Sequence, residues 1–195
     1  MDVTEPEIIK SGVVALVGPP NAGKSTLLNS LLGQKISIVT PKPQTTRNRI
    51  AGVLNGEGYQ IVLLDTPGLH RSAVQLNKEM MQVALDSLQD VEAVVFMIDA
   101  SQPPSPKQGK TREEEYKAYL ESVQSPAFLL LNKIDLVEKE ELLPIIDIYS
   151  RLYPFKGVIP VSALKGDGLE RIVQELVALM PQGFKYFPDD VPTDA

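Results

Sequence analysis

The sequence predicts an α/β fold on a mainly parallel sheet, and three observations carry that prediction. Strand-sized apolar runs alternate with helix-length segments along most of the 195 residues. The first run, Val13-Val14-Ala15-Leu16-Val17, leads into the loop Gly18-Pro19-Pro20-Asn21-Ala22-Gly23-Lys24-Ser25 and then a leucine-rich stretch. Gly56-Glu57-Gly58, between the second and third runs, has the make-up of a hairpin turn, so one of that pair runs against the rest. The expected architecture is three-layered: a six-stranded, mainly parallel sheet with one antiparallel edge strand, and helices on both faces.

Strands are expected at 13–17, 49–54, 60–64, 93–99, 127–131 and 157–161, and helices at 24–32, 74–88, 111–123, 140–152 and 169–179. Thr111-Arg112-Glu113-Glu114 has capping-box spacing, which starts the third of these helices. Prolines in Gln102-Pro103-Pro104-Ser105-Pro106 forbid regular pairing there, leaving either a plain loop or a polyproline contact for a partner. Residues 1–10 read as an N-terminal extension, 11–182 as one folded domain and 183–195 as a linker ending in Asp189-Asp190-Val191-Pro192.

Composition narrows the function. Twenty-five acidic against 19 basic residues give a net charge of -6, which argues against avid binding of nucleic acid or anionic lipid by this chain alone. With no cysteine and a single histidine, His70, disulfides, thiolate metal sites and histidine zinc clusters are excluded. The acidic N-terminus carries no apolar segment and the longest apolar runs are strand-sized, so the expected location is cytoplasmic.

The loop 18–25 has the chemistry of a phosphate cradle, which makes the fold that of a P-loop NTPase. Glycines let successive N–H groups turn inward, Lys24 reaches the outer phosphates, Ser25 offers a hydroxyl to magnesium, and Thr26 continues the helix whose positive end faces the anion. Asp65-Thr66-Pro67-Gly68 follows the third strand; an acid there supports magnesium through water, and the glycine N–H meets the γ-phosphate. Taken alone it would be an ordinary Pro-Gly turn.

Asn132-Lys133-Ile134-Asp135 follows the apolar run 128–131 and selects the base. A carboxylate at Asp135 accepts hydrogen bonds from the ring N–H and exocyclic amine of guanine, whereas adenine presents an acceptor and leaves the charge unpaired. Asn132 can brace the base and the phosphate loop, and the Lys133 stem can lie over the purine. The expected ligand is therefore GTP or GDP. Ser162-Ala163-Leu164, after the sixth strand, lets backbone N–H groups approach the guanine carbonyl. Between the first helix and second strand, Ser37-Ile38-Val39-Thr40-Pro41-Lys42-Pro43-Gln44-Thr45-Thr46-Arg47 has two readings. Either it is a connector whose threonines begin the next strand, or Thr45 or Thr46 supplies a magnesium ligand and a γ-phosphate contact in a loop ordered by GTP.

Pro43-Gln44-Thr45-Thr46-Arg47 and Asp65-Thr66-Pro67-Gly68-Leu69-His70, with the two nucleotide motifs, resemble the Era-like branch of the translation-factor-related GTPases, from Ser11 to Asp194. That resemblance implies a monomeric GTP-hydrolysing switch in maturation of the small ribosomal subunit, with its rRNA as partner and some peripheral inner-membrane association. It also implies a following KH-type RNA-binding domain. No Gly-x-x-Gly clamp occurs in these residues, so the chain is expected to be the GTPase domain alone, with weak or absent RNA binding.

Leu69 stands where Ras-like enzymes carry a water-orienting glutamine, which implies slow intrinsic turnover. The family resemblance supplies a potassium ion beside the β- and γ-phosphates, held partly by Asn21. His70 reads as an exposed switch residue rather than a base, since the chemistry needs none. Arg47 and Arg49 are either RNA contacts or solvated charges. Two alternatives stand beside the main reading. One is a Der-type or tRNA-modification GTPase, whose Gly-Thr-Thr-Arg-Asp differs from Gln44 and Asn48 here. The other is a guanine-nucleotide-dependent binding module with negligible turnover.

Overall fold

Every second residue of the fourth strand faces the same core, and that alternation builds the molecule. A computed structural model describes residues 7–34, 49–65, 91–102 and 112–188. Its elements are β1 (Ile9–Val17), α1 (Lys24–Gln34), β2 (Arg49–Gly56), β3 (Tyr59–Asp65), β4 (Ala93–Asp99), α2 (Arg112–Leu120), β5 (Ala127–Asn132), α3 (Lys139–Ser150), β6 (Gly157–Pro160), α4 (Leu169–Leu179) and β7 (Gln182–Gly183). Along β4, Ala93, Val95 and Met97 pack with Leu27 and Leu31 of α1 and Ile172 and Leu176 of α4. Val94, Phe96 and Ile98 pack with Tyr116 and Leu120 of α2 and Ile145 and Tyr149 of α3 on the opposite face. A strand apolar on both faces belongs in the middle of a parallel sheet, between two layers of helices.

The sheet order is β2-β3-β1-β4-β5-β6. Strands β3, β1, β4, β5 and β6 run parallel, and β2 pairs antiparallel with β3 at the edge. Glu57 and Gly58 make their turn, with Gly58 at φ 72, where a side chain would be strained. The chain leaves β1 towards β3 on one side and enters β4 on the other. Their carboxyl ends therefore open a crevice at the reversal point, where α/β folds bind ligands.

The observed sheet has seven strands, one more than expected from sequence. Gln182 and Gly183 pair antiparallel with Lys10 and Ile9. Ser11 N–H also donates to the Pro181 carbonyl at 3.0 Å, and Glu92 N–H to the Val13 carbonyl at 2.9 Å. The edge of β1 beyond β4 is thereby closed by separate pieces of chain. A two-residue strand has no alternation to betray it in the sequence. Just after it, the buried Gln60 side chain donates to the Phe187 carbonyl at 2.9 Å and accepts from the Phe187 N–H at 3.0 Å. The helix expected at 74–88, the proline loop 103–106, the Thr111 cap, Thr45, Thr46, Arg47, Thr66, Pro67, Gly68, Leu69 and His70 lie outside the described residues.

Candidate nucleotide-binding site

Residues 18–23 connect the end of β1 to the start of α1. Two glycines are dictated by space. A Cβ on Gly18 would stand 2.2 Å from the Met97 carbonyl oxygen, and one on Gly23, at φ +100, would stand 2.2 Å from Asn132 Nδ2. Asn21 adopts φ 63, a left-handed conformation that asparagine tolerates better than most residues. Lys24 Nζ donates to the carbonyls of Gly18 at 2.8 Å and Pro19 at 3.1 Å, so its ammonium lies over the loop it follows. Ser25 and Thr26 are exposed in the first turn of α1, where helical N–H groups lack intrahelical acceptors.

Sheet register brings the other phosphate-side segments to the same end. Leu16 is opposite Asp65 across β1 and β3, so the strand leading to Pro19-Pro20 and the strand leading to Thr66 emerge side by side. Arg49 is opposite Asp65 across β2 and β3, so β2 begins at this end too.

On the base side, Asn132 is the joint. Only 2% exposed at the end of β5, it donates from Nδ2 to the Ala22 carbonyl at 2.8 Å and accepts at Oδ1 from the Ala163 N–H at 2.9 Å. One side chain thus ties the phosphate loop to the loop after β6. Replacing it with alanine orphans two backbone groups in the interior, each costing about 1–3 kcal/mol. Asn132→Ala is therefore expected to lose about 2–4 kcal/mol of folding stability in nucleotide-free urea unfolding, with an unchanged m-value.

Lys133 takes up φ 67, ψ 35 and begins the 3-10 turn Ile134–Leu136, which brings Asp135 back towards the cleft. Ser162, fully buried, donates from Oγ to Asp135 Oδ1 at 2.6 Å and accepts from the Lys165 N–H at 3.1 Å. The Ser162 N–H donates to the Asp167 carbonyl at 3.0 Å. The N–H groups of Ser162 and Ala163 are therefore engaged within the protein, and the Ser162 hydroxyl orients Asp135. Gly23, Thr26, Asn132, Lys133, Asp135, Leu136 and Leu164 line a cleft of 180 Å³. Leu136 and Leu164 are 66% and 72% exposed, as apolar walls for a flat ring would be.

Sequence reasoning missed Asp99 and Leu136. Asp99 ends β4 opposite Asn132 and is 8% exposed. It accepts from Lys133 Nζ at 2.6 Å, from Ser101 Oγ at 2.6 Å and N–H at 3.0 Å, and from Gln102 Nε2 at 3.3 Å. Burial raises its pKa, but the hydrogen bonds from Lys133 and Ser101 outweigh that and hold the carboxyl below its ordinary value. An acid at a strand end was the available signal; its partner 34 residues away was not.

A glycine-bracketed loop opening a helix beside β1, and an Asn-Lys-x-Asp strand end two strands away, define a protein of the P-loop GTPase class. A family model for the 50S ribosome-binding GTPases matches residues 13–133, and the chain belongs to that family. It is 51% identical over 184 residues to GTPase Era of Geotalea daltonii, a match that takes in 94% of this chain and 60% of that protein. A crystal structure of Era in complex with MgGDPNP and nucleotides 1506–1542 of 16S ribosomal RNA superposes with a TM-score of 0.73 at 40% identity, covering 96% of this chain and 62% of that one. A point variant of Aquifex aeolicus Era bound to GDP and aluminium fluoride gives 0.72 at 40% identity, with the same coverage. The chain thus spans about three fifths of the length of these relatives.

Proposed function

We propose that this chain binds and hydrolyses GTP as the switch domain of an Era-like factor in small ribosomal subunit assembly. The observation that carries the reading is the Asn132 bridge, which locks a phosphate cradle to a base cleft holding an oriented carboxylate. A phosphate-binding kinase has no need of such a coupling to a guanine reader. The bound nucleotide analogues and 16S RNA of the Era relatives support the same reading.

In this proposal a water attacks the γ-phosphorus as the bond to the β-phosphate oxygen breaks, and the protein contributes positioning and charge stabilisation. Residues Gly18, Pro19, Pro20, Asn21, Ala22 and Gly23 wrap the β-phosphate, the backbone N–H groups coming from the non-proline members, while Lys24 turns from the loop carbonyls to the outer phosphates. The Ser25 hydroxyl, Asp65 through water, and Thr45 or Thr46 would offer the hard oxygen donors that magnesium takes, and the ion would supply neutralisation of phosphate charge. Thr66, Pro67 and Gly68 continue from Asp65, and the Gly68 N–H meets the γ-phosphate. Asp135 reads the base, and Lys133 and Leu164 cover its faces.

Asn21, exposed in the loop at φ 63, carries an amide oxygen of the kind potassium takes, and Leu69 has no water-orienting group. Single-turnover GTP hydrolysis is therefore expected to run about tenfold faster in potassium than in sodium, and Asn21→Ala to abolish the difference. Equal rates in both salts sink the potassium assignment; hydrolysis of ATP as fast as GTP sinks the functional reading.

For the whole protein we propose a monomer acting on small-subunit rRNA, with peripheral association at the inner membrane face. A net charge of -6 leaves these residues with no excess of cations for neutralising RNA phosphates. Among the described residues no helix is long and apolar enough to cross a membrane.

A further inference from the structure

We propose that Asp99 is a positioning residue for nucleotide binding: its carboxylate anchors the Lys133 ammonium so that the lysine stem stands as a fixed wall of the base cleft. The inference rests on the guanine-nucleotide reading above. Asp99 is not among the residues lining the cleft, whereas Lys133 is. The two meet at 2.6 Å, with side-chain exposures of 31% for Lys133 and 9% for Asp99. Parallel pairing of β4 and β5 sets Asp99 beside Asn132, so the carboxylate sits one residue from the lysine it holds.

A lysine stem is flexible, and a surface ammonium ordinarily wanders in solvent. Here both ends of the side chain are fixed. The backbone of Lys133 is held in the left-handed region by the 3-10 turn that follows, where the Leu136 N–H donates to the Lys133 carbonyl at 3.0 Å. The Asp99 carboxylate is in turn fastened by Ser101 at Oδ1 and by Gln102 at Oδ2, the oxygen that also accepts from Lys133. The stem between two fixed ends is pre-organised, so a base stacking on it orders little further.

A bland role exists: the bond from the Ser101 N–H to Asp99 Oδ1 closes the turn after β4, as aspartates and asparagines commonly do. Asp99→Asn separates the two roles. Asparagine closes that turn with its amide oxygen on Ser101, which leaves an uncharged NH2 donor, unable to accept from the ammonium, where Oδ2 held Lys133. The test measures dissociation constants and release rates of GDP, IDP and ADP with magnesium on the full chain, alongside nucleotide-free thermal unfolding.

Asp99→Asn is expected to raise the GDP dissociation constant and release rate about tenfold. IDP should be affected equally, because Asp135 is intact. Lys133→Met, which keeps the stem and removes the anchored charge, is expected to do the same, and the double variant to lose nothing more. GDP binding within twofold of the parent in Asp99→Asn overturns the proposal, as does an additive loss in the double variant. Should Asp99→Asn fail to fold, unchanged GDP release from Lys133→Met overturns it alone. A parent chain that binds ADP as tightly as GDP overturns the guanine reading itself and this inference with it.

Discussion

Asp135→Asn is expected to weaken GTP binding by at least about a hundredfold and to invert the preference towards XTP. Guanine offers two donors to Asp135, and an ionised carboxylate accepts both. An amide can accept only through its oxygen, and Ser162 Oγ, 2.6 Å from Asp135 Oδ1, claims that oxygen in the variant. The NH2 group is then turned to the base, where it confronts the exocyclic amine of guanine but donates to the corresponding carbonyl of xanthine. Competition titrations of GDP against XDP measure the ratio directly. The orienting serine adds a second check, since Ser162→Ala in the variant frees the amide to rotate and should blunt the discrimination. Undiminished GTP affinity in Asp135→Asn would remove Asp135 from the site.

The second large effect is expected at Lys24. Its ammonium bonds to the Gly18 and Pro19 carbonyls, yet such bonds are each worth only about 1 kcal/mol net. Lys24→Ala should therefore still fold, with a modest drop in unfolding midpoint. Charge developing on the transferring phosphoryl group loses its cation, however, and removal of one such stabiliser lowers the chemical rate about 10²–10³-fold. Single-turnover kinetics at saturating GTP isolate that loss from weaker binding. A rate within threefold of the parent would show that Lys24 serves the loop's shape alone.

Much of the scaffold was legible because its signals are local. The alternation through Ala93, Val94, Val95 and Phe96 specifies a strand buried on both faces, and Gly56-Glu57-Gly58 specifies the tight reversal between β2 and β3. The phosphate loop was legible for the same reason, from the spacing of Gly18, Gly23, Lys24 and Ser25, whereas the Asn132 side chain that forbids a Cβ on Gly23 was not. What escaped depends on register between distant strands. Asp99 meets Lys133 only because β4 and β5 align Asp99 with Asn132, and the Ser162 hydroxyl finds Asp135 only because β5 and β6 end together. Nothing in the four residues of a turn reports which carboxylate waits across the sheet. The 3-10 turn after Lys133 escaped as well, since a left-handed lysine has no sequence signature.

The closing of β1 by separate pieces of chain has a consequence for how the molecule is made. β1 ends at Val17, but the last piece to seal its edge, β7, ends at Gly183. At about 5–20 residues per second, translation separates the two by roughly 10–30 s. Throughout that interval the strand that carries the phosphate loop has backbone groups open to pairing with another nascent chain. Nucleotide cannot shorten the exposure, because its cleft needs Leu164 and so waits for nearly the whole chain. Birth on the ribosome is thus the period in which this fold is most vulnerable to aggregation.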